Sequence, residues 1–351
     1  MKKSRERDSR MDPEIWSKLP SEILEHILSF LPLRAFLKLR ATCKSFWPLL
    51  FSPSFVSKHS SLPFSSFLSL SHPQFAHHFP LYDTTLATWR NISLSRHSFP
   101  SFTSLSSSGA LFCLSHSASF TFHVFNLFSK ASRTIPYPTH ALHFDHLTFA
   151  ATPSGYVIFV STSNSGFLYH SKAPAWTRFH GFGPVLDHQQ GVLFNGCLYF
   201  ATPEPFSVVI FDLESGGWQG LHAGLPDQLT FVRLVSDGEG KLYLVGGVGS
   251  NGISRSIKVW EFDGNWWVEM QSLPDLICRK FVSVCYHNYE HVYCFWHQGM
   301  ICICCYTWPE ILYYLVSRRT WHWLPRCPSL PPKCSCGFKW FSFVPNLYAS
   351  V

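Results

Sequence analysis

The N-terminal part of the chain carries the apolar spacing of an amphipathic helix. Its aliphatic residues recur at i, i+1, i+4, i+5 and i+8 and so share one helical face, namely Ile23, Leu24, Ile27, Leu28 and Leu31. Pro20 suits a first helical turn and Pro32 cannot continue a helix, so about three turns are predicted between them. A second apolar series runs from Leu33 to Leu50, so two or three short helices are predicted in all.

Such a helical unit needs a surface to cover its apolar face. About 30 residues bury only a small fraction of their own surface, because the buried fraction falls with chain size. From periodicity alone, two alternatives remain for what covers this face. Either the face binds another protein, or it packs on the remainder of this chain.

From about Leu81 onward the spacing changes to that of strands, and the pattern repeats. Each unit has an alternating apolar run, a short gap, a second run that ends near a small or acidic residue, a turn, and then a large side chain. The residues that end the units are Trp89, Arg133, Trp176, Trp218, Trp266 and Trp321. Their separations of roughly 40 to 55 residues are the size of one propeller blade.

These units are predicted to close into a ring of about six blades, with five or seven blades as the alternatives. A small antiparallel sheet with two apolar faces needs a neighbour on each face, and the end units must therefore meet. The first unit lacks an inner strand, while the run Phe338–Val344 has no unit of its own. We therefore expect the C-terminal run to complete the first blade.

The unit from Phe231 to Met270 is the clearest of the six. Its predicted strands are Phe231–Val235, Lys241–Val245, Ile257–Phe262 and Trp266–Met270. Gly246 and Gly247 are predicted to end the second strand close to the ring axis, where side chains would collide.

Both regions resemble known families. The pattern LPxEILxxILSFLP, followed by LRxFLxLRxxCKSF, resembles the F-box. It departs from the family at Thr42, where an aliphatic residue is usual, and at Phe46, where Trp is usual and Trp47 stands beside it. A strand that ends in Gly-Gly, followed by an aromatic-Asp turn and a Trp, resembles the kelch repeat. The chain as a whole is similar to the plant F-box/kelch-repeat proteins.

The resemblance implies a function in protein ubiquitination. An F-box docks on a Skp-type adaptor and so joins a cullin-RING ubiquitin ligase, while the propeller receives a target protein. Such a chain is a non-catalytic substrate receptor without a cofactor. The positions that match the adaptor-binding pattern are Leu19, Pro20, Ile23, Leu24, Ile27, Leu28, Leu31, Pro32, Leu33 and Leu37.

The fold class expected is mainly β, a kelch-type β-propeller of about six blades preceded by a small all-α F-box module. The predicted domains are a disordered leader (1–13), the F-box module (14–51), a connector (52–80) and the propeller (81–351). Aromatic residues make up 17% of the chain and charged residues 14%, which favours strands.

Charge and hydropathy argue against nucleic acid and membrane partners. The net charge of +7 is spread thinly apart from the run Lys2–Arg7, which is either a solvated tail or a nuclear address. Basic residues do not alternate with aromatic ones in a stripe. The first residues lack the apolar core of a secretion signal, and polar residues interrupt the apolar run Val292–Val316. Two buried strands joined by a turn explain this run better than a membrane helix, and the cytosol or nucleus is the expected location.

Motifs for catalysis are missing from the sequence. It has no Gly-x-Ser-x-Gly elbow, and Gly246–Gly249 precedes neither a helix nor a Lys-Ser/Thr pair. The 12 cysteines are expected to be mostly free thiols, with Cys197, Cys285, Cys294, Cys302 and Cys304 in strand-like runs.

Two metal hypotheses stay open beside this expectation. Zinc could use Cys327, Cys334 and Cys336 with His322, although their spacing matches no common zinc pattern. Copper, as in kelch-type oxidases, could use the cluster of His287, His291, Tyr293 and His297. The alternative function is accordingly a propeller scaffold or metal oxidase without a ligase role.

Target binding is expected at the loops between second and third strands, because loops carry specificity while the sheets hold them. The loops predicted are Ser115–Ser119, Ser161–Ser165, Ala201–Phe206, Val248–Ser256 and Tyr306–Glu310. Arg255 and Trp308 are candidate contacts, each of which could equally be an ordinary solvated or packed loop residue. The substrate-binding residues stay unknown at this stage.

Overall fold

A computed structural model describes residues 18–31, 35, 46–49, 52, 55, 66–75, 78–93, 104–127, 129–139, 143–180, 184–238, 240–330, 336–346 and 349–351. The chain divides into two compact units, Met1–Phe64 and Ser65–Val351. The predicted leader, residues 1–13, lies outside the described residues.

In the first unit, the described helices are α1 (Ser21–Ser29) and α2 (Phe46–Leu49). Pro20 immediately precedes α1, and its carbonyl accepts the first helical bond from the Leu24 amide at 3.0 Å. The helix ends at Ser29. Beyond it, the Phe30 and Leu31 amides donate to the carbonyls of Ile27 and Leu28, three residues back.

The second unit is built from four-stranded antiparallel sheets, six of them in the described residues, which we number as blades in chain order. Blade 1 contains β1 (Phe67–Ser71), β2 (His78–Asp83), β3 (Thr88–Ser93) and the C-terminal β24 (Lys339–Phe343). Blade 2 contains β4 (Ser104–Ser108), β5 (Leu111–His116), β6 (Thr121–Asn126) and β7 (Ser132–Pro136). Blade 3 contains β8 (His146–Thr152), β9 (Gly155–Thr162), β10 (Ser165–His170) and β11 (Ala173–His180).

Blades 4 to 6 follow the same plan. Blade 4 contains β12 (Val192–Phe194), β13 (Cys197–Ala201), β14 (Val208–Asp212) and β15 (Trp218–Gly220). Blade 5 contains β16 (Leu229–Ser236), β17 (Leu242–Ser250), β18 (Ile253–Phe262) and β19 (Trp267–Ser272). Blade 6 contains β20 (Val292–His297), β21 (Met300–Cys305), β22 (Trp308–Leu315) and β23 (Thr320–Trp323).

The blades close into a ring, which confirms the predicted six-bladed propeller. The inner strands β4, β8, β12, β16, β20 and β24 each lie beside the inner strands of the two neighbouring blades. A hydrophobic cluster fills each interface between neighbours, including the one between blades 6 and 1. Because both faces of each sheet are covered in this way, the second strands read as nearly continuous apolar runs.

The C-terminal strand closes the ring, as predicted. Strand β24 pairs antiparallel with β1 in a register that sets Leu68 opposite Ser342 and Leu70 opposite Trp340. It therefore provides the inner strand that the first blade lacks in its own part of the sequence.

The predicted connector, residues 52–80, extends too far toward the C-terminus. Phe67–Ser71 forms β1, and His78–Asp83 begins before residue 81 as β2. The short sequence FLSLS gives a weak strand pattern, and its partner β24 lies at the far end of the chain.

A Trp in the outermost strand packs on an aromatic ring of the third strand in five blades. The ring centroids are 4.8 to 5.4 Å apart in the pairs Tyr82–Trp89, Tyr169–Trp176, Phe211–Trp218, Phe262–Trp267 and Tyr314–Trp321. The predicted repeat residue is confirmed in blades 1, 3, 4 and 6. In blade 2, Arg133 stands in β7 and donates to the Ser171 carbonyl at 3.1 Å.

The repeat residue predicted for blade 5, Trp266, was wrong by one position. Trp266 is exposed, and Trp267 packs in the interface of blades 4 and 5. The carboxylate of Asp263 accepts the Asn265 and Trp266 amides at 2.8 and 2.7 Å, which keeps Trp266 within the turn. These backbone donors also lower the pKa of Asp263 below its ordinary range.

The glycine pair of blade 5 lies inside a strand and not at its end. Strand β17 continues past Gly246 and Gly247 to Ser250. A Cβ on Gly246 would lie 2.9 Å from the Leu229 side chain, and one on Gly247 would overlap the side chains of Thr230 and Ser254. Close packing within the blade therefore explains the pair.

A helix in the propeller was not predicted. Helix α3 (Asp275–Cys285) connects β19 of blade 5 to β20 of blade 6. The apolar run Val292–Val316 then forms three strands where two were expected. Among the described residues, none of the helices has the length and apolarity needed to cross a membrane.

Candidate functional site

Helix α1 exposes a line of large apolar side chains. Ile23, Ile27 and Phe30 are 48%, 39% and 64% exposed, at positions i, i+4 and i+7. This spacing places them one above another on the same side of the helix. We call these three residues the α1 ridge. Uncovered apolar side chains in a row of this kind are typical of interaction surfaces.

The residues of the apolar stripe predicted for α1 differ in how far their side chains are buried. Leu28 is 3% exposed, and Leu24 and Leu31 are half-buried. The stripe thus has one part within the packed structure and another part, the α1 ridge, that meets solvent. Phe30 was missed by the sequence analysis, although it follows Ile23 by seven residues and so continues the helical spacing.

The other predicted adaptor-binding residues lie at the start of α1 or outside the described structure. Pro20 is exposed at the N-cap position, and Leu19 is half-buried beside it. Pro32, Leu33 and Leu37 lie outside the described residues.

Polar contacts hold the remaining sides of α1. The Ser52 hydroxyl donates to the Glu25 carboxylate at 3.0 Å, and the Ser29 hydroxyl donates to the His26 carbonyl at 2.7 Å. The His26 ring meets the Phe30 ring edge to face with centroids 4.8 Å apart. This contact holds Phe30 at the C-terminal end of the ridge.

In the propeller, the turns between second and third strands lie on one face of the ring, which we call the loop face. These turns are shorter than predicted in blades 5 and 6, because β18 begins at Ile253 and β22 at Trp308. Arg255 is exposed on β18, whereas Trp308 is half-buried against the cluster between blades 5 and 6. Arg255 is therefore accessible on this face, and Trp308 has a packing role.

The connection between blades 3 and 4 crosses the centre of the ring. Its Gln189 side chain donates to the carbonyls of Leu234 in blade 5 and Cys294 in blade 6, at 2.8 and 3.3 Å. On the other side, the Gln190 amide donates to Ser106 in blade 2, and the Gly191 amide donates to Thr148 in blade 3. Residues 187–191 thus tie four blades together. We call them the central segment.

A buried arginine anchors the central segment. The Arg233 guanidinium contacts the Asp187 carboxylate at 2.7 Å and donates to the carbonyls of Tyr289 and Val292 at 2.7 and 2.6 Å. Both side chains are almost fully buried, so the ion pair lies in an environment of low dielectric constant. The signal in the sequence was an arginine inside the apolar strand Phe231–Val235.

The residues proposed for a copper site have separate partners. His297 lies within hydrogen-bonding distance of the Ser342 hydroxyl at 2.9 Å, and the Tyr293 hydroxyl accepts the Trp340 amide at 2.7 Å. His287 pairs with Tyr289 at 3.1 Å. In the part of the chain that is described, acidic, His and Cys side chains form no group of three suited to a metal ion. Cys334 of the proposed zinc set lies outside the described residues.

Most thiols in the described residues are free and buried, as expected. Burial raises the pKa of Cys285 to about 11 and that of Cys294 to about 12, which keeps both protonated at neutral pH. Cys285 lies in helix α3 and not in a strand as predicted. The alternation of cysteine with apolar residues does not distinguish a short helix from a strand.

Comparison with known proteins identifies the family. A family model described as F-box-like matches residues 16–59. An F-box/kelch-repeat protein of Arabidopsis thaliana is 50% identical over 366 aligned residues, covering 98% of this chain and 90% of the relative. The chain belongs to the F-box/kelch-repeat proteins.

More distant relatives align over most of the chain. F-box only protein 6 of Arabidopsis thaliana is 25% identical, with 90% of this chain and 71% of the relative aligned. Protein UNUSUAL FLORAL ORGANS of the same plant is 24% identical, with 91% and 80% aligned. An F-box followed by a propeller supports the role of an F-box substrate receptor, and proteins of this F-box/kelch-repeat family are generally non-catalytic.

Proposed function

We propose that this F-box/kelch-repeat protein is the substrate-recognition subunit of a Skp-cullin-F-box ubiquitin ligase in the cytosol or nucleus. The F-box-like unit binds a Skp-type adaptor, and the propeller binds a target protein. The proposal depends chiefly on the α1 ridge, an uncovered apolar line within the residues that match the F-box-like model.

The energetics of the ridge support a protein partner. Complete burial of a fully exposed Ile or Phe side chain contributes about 1.5–3 kcal/mol. Ile23, Ile27 and Phe30 are 48%, 39% and 64% exposed, so each can contribute about half of that value. The proposed interface also includes Leu19, Leu24 and Leu31, and from the sequence pattern alone Pro32, Leu33 and Leu37. Burial of the ridge together with these residues must exceed the cost of association, which is about 4–15 kcal/mol.

Ubiquitin transfer then follows from proximity. The receptor contributes no reacting group in this scheme. It raises the local concentration of the target near the transfer centre of the ligase, which makes an intermolecular step effectively intramolecular.

The test is capture of a purified Skp-type adaptor by the full chain and by Ile27→Asp. A charge on the ridge must be desolvated in the interface, so capture should fall below detection while the melting temperature stays unchanged. Glu22→Gln, on an exposed position of the same helix, is the matched control and should capture normally. Leu28→Asp is a poorer probe, because Leu28 is buried and its change also disturbs packing. Normal capture by Ile27→Asp would remove the ridge from the interface.

A further inference from the structure

Helix α3 presents an exposed line of side chains on the loop face of the propeller. Leu276 and Tyr286 are 81% and 80% exposed, at the two ends of the helix. Arg279 and Ser283 lie between them and are also exposed. Because 100° of rotation separates successive helical residues, Leu276, Arg279 and Ser283 share one side of the helix. Tyr286 follows the last helical residue in a left-handed conformation. We call Leu276, Arg279, Ser283 and Tyr286 the α3 line.

The opposite side of α3 is fixed to the propeller. Cys278, Phe281, Val282 and Cys285 are buried in the cluster between blades 5 and 6. The Thr307 hydroxyl donates to the Val284 carbonyl at 3.0 Å, and the Cys278 thiol donates to the Arg255 carbonyl at 3.9 Å. A helix held in this way is preorganised for binding, since little conformational freedom remains to be lost.

The two basic residues of α3 differ in their surroundings. Lys280 pairs with Glu310 at 3.0 Å, and its ammonium lies 4.0 Å from the centroid of the Trp323 ring. Arg279 makes no ion pair or hydrogen bond with any residue that the structure describes. Exposed Arg255 lies next to α3 on the loop face. Asp275 is exposed one turn before Arg279, and no ion pair joins the two among the described residues. Lys280 therefore supports the fold, while Arg279 is available to a carboxylate of a partner.

We propose that the α3 line binds an acidic peptide segment of the target protein. A carboxylate of the segment pairs with Arg279, and apolar side chains on either side cover Leu276 and Tyr286. The line is about 15 Å long at 1.5 Å per residue, which an extended strand spans with about five residues. The expected recognition element is thus an Asp or Glu between two large apolar residues about four positions apart.

Charge favours this occupant over a second copy of the chain. The protein carries a net charge of +7, so two copies repel each other, whereas an acidic segment is attracted. This inference rests on the proposed function, because it takes the propeller to be the part that receives the target.

The test selects peptides from a random 12-residue display library on the full chain. Selected sequences should contain the acidic–apolar element, and a synthetic peptide of that sequence should bind Leu276→Ser or Tyr286→Ser at least about tenfold more weakly. Arg279→Glu should lose this peptide and instead bind a version in which Lys replaces the acidic residue. Leu86→Ser and Arg318→Glu, exposed positions in turns of the opposite face, are the matched controls and should bind as the unchanged protein does.

Several outcomes would overturn the inference. Enrichment of no peptide, enrichment of peptides without an acidic residue, or equal binding by the α3 variants would each do so. Loss of self-association in Leu276→Ser, measured by sedimentation, would assign the line to contact between copies. Adaptor capture is measured in parallel on the same samples. If capture fails while the peptides bind as expected, the proposed ligase role is wrong and the α3 line is still a peptide site.

Discussion

Phe67, the first residue of β1, lies opposite Phe343, the last residue of β24, and their rings stack with centroids 6.2 Å apart. The pair joins the first strand of the propeller to its last. Closure of the ring therefore depends on a contact between the two ends of the domain sequence.

Trp340→Ala should destabilise the whole propeller, because Trp340 is buried in the cluster between blades 6 and 1 and packs 5.8 Å from the Trp89 ring. The expected loss is about 3–5 kcal/mol of unfolding free energy. Denaturant unfolding measures this loss. In the same experiment, removal of residues 337–351, which include β24, should abolish the cooperative transition. Val185→Ala, at an exposed apolar position, should change the free energy by less than about 0.5 kcal/mol. A cooperative transition that survives the truncation would mean that the ring does not need β24.

Arg233→Met should cost about 3–5 kcal/mol of stability, because it leaves the buried Asp187 carboxylate without its partner. Lys241→Met removes one member of an exposed pair with Glu261 and should cost less than about 1 kcal/mol. Urea unfolding compares the two. Changing Asp187 to Leu as well should recover part of the loss in Arg233→Met, and a double variant no better than the single one would contradict this explanation.

Stability should fall as the pH is lowered from about 6.5 to about 4. Burial lowers the pKa of His297 and of His146 from 6.5 to about 4. The unfolded chain therefore takes up protons in this range that the folded chain does not, and each histidine adds a slope of up to about 1.4 kcal/mol per pH unit. Well above pH 6.5 both histidines are neutral in the folded and in the unfolded chain, so neither adds to the slope.

His297→Gln should reduce this slope, because the amide keeps a bond to Ser342 without titrating. Unfolding free energies at several values of pH measure the slope, and the same change at exposed His222 controls for the loss of a histidine. An unchanged slope in His297→Gln would show that other groups cause the pH dependence.

Gly247→Ala should destabilise blade 5 by about 1–3 kcal/mol, since the new methyl group would overlap the side chains of Thr230 and Ser254. Gly220→Ala is the matched control, because nothing lies within 4 Å of a Cβ at that position. Thermal unfolding compares the two. Equal stability in both variants would mean that the neighbours of Gly247 move aside at no cost.

The blade pattern was determined by the sequence, because each blade is a run of neighbouring antiparallel strands. Alternation and turn residues report such local pairing directly, so the order and approximate positions of the four strands of blade 5 and the repeat residues Trp89, Trp176, Trp218 and Trp321 were predicted correctly, although β17 and β18 are longer than predicted. Where a local contact shifted the pattern, the prediction failed, as at Trp266, which the Asp263 turn holds outside the strand.

Tertiary structure alone decided which parts of each pattern are covered. The spacing of α1 groups Ile23 with Leu28, yet Leu28 is buried and Ile23 meets solvent, because periodicity defines a face and not what packs against it. Helix α3 and the central segment were likewise found only in the tertiary structure. Their contacts, such as Gln189 with Cys294 and Thr307 with Val284, join residues from different parts of the ring, and such contacts leave no periodic trace in the chain.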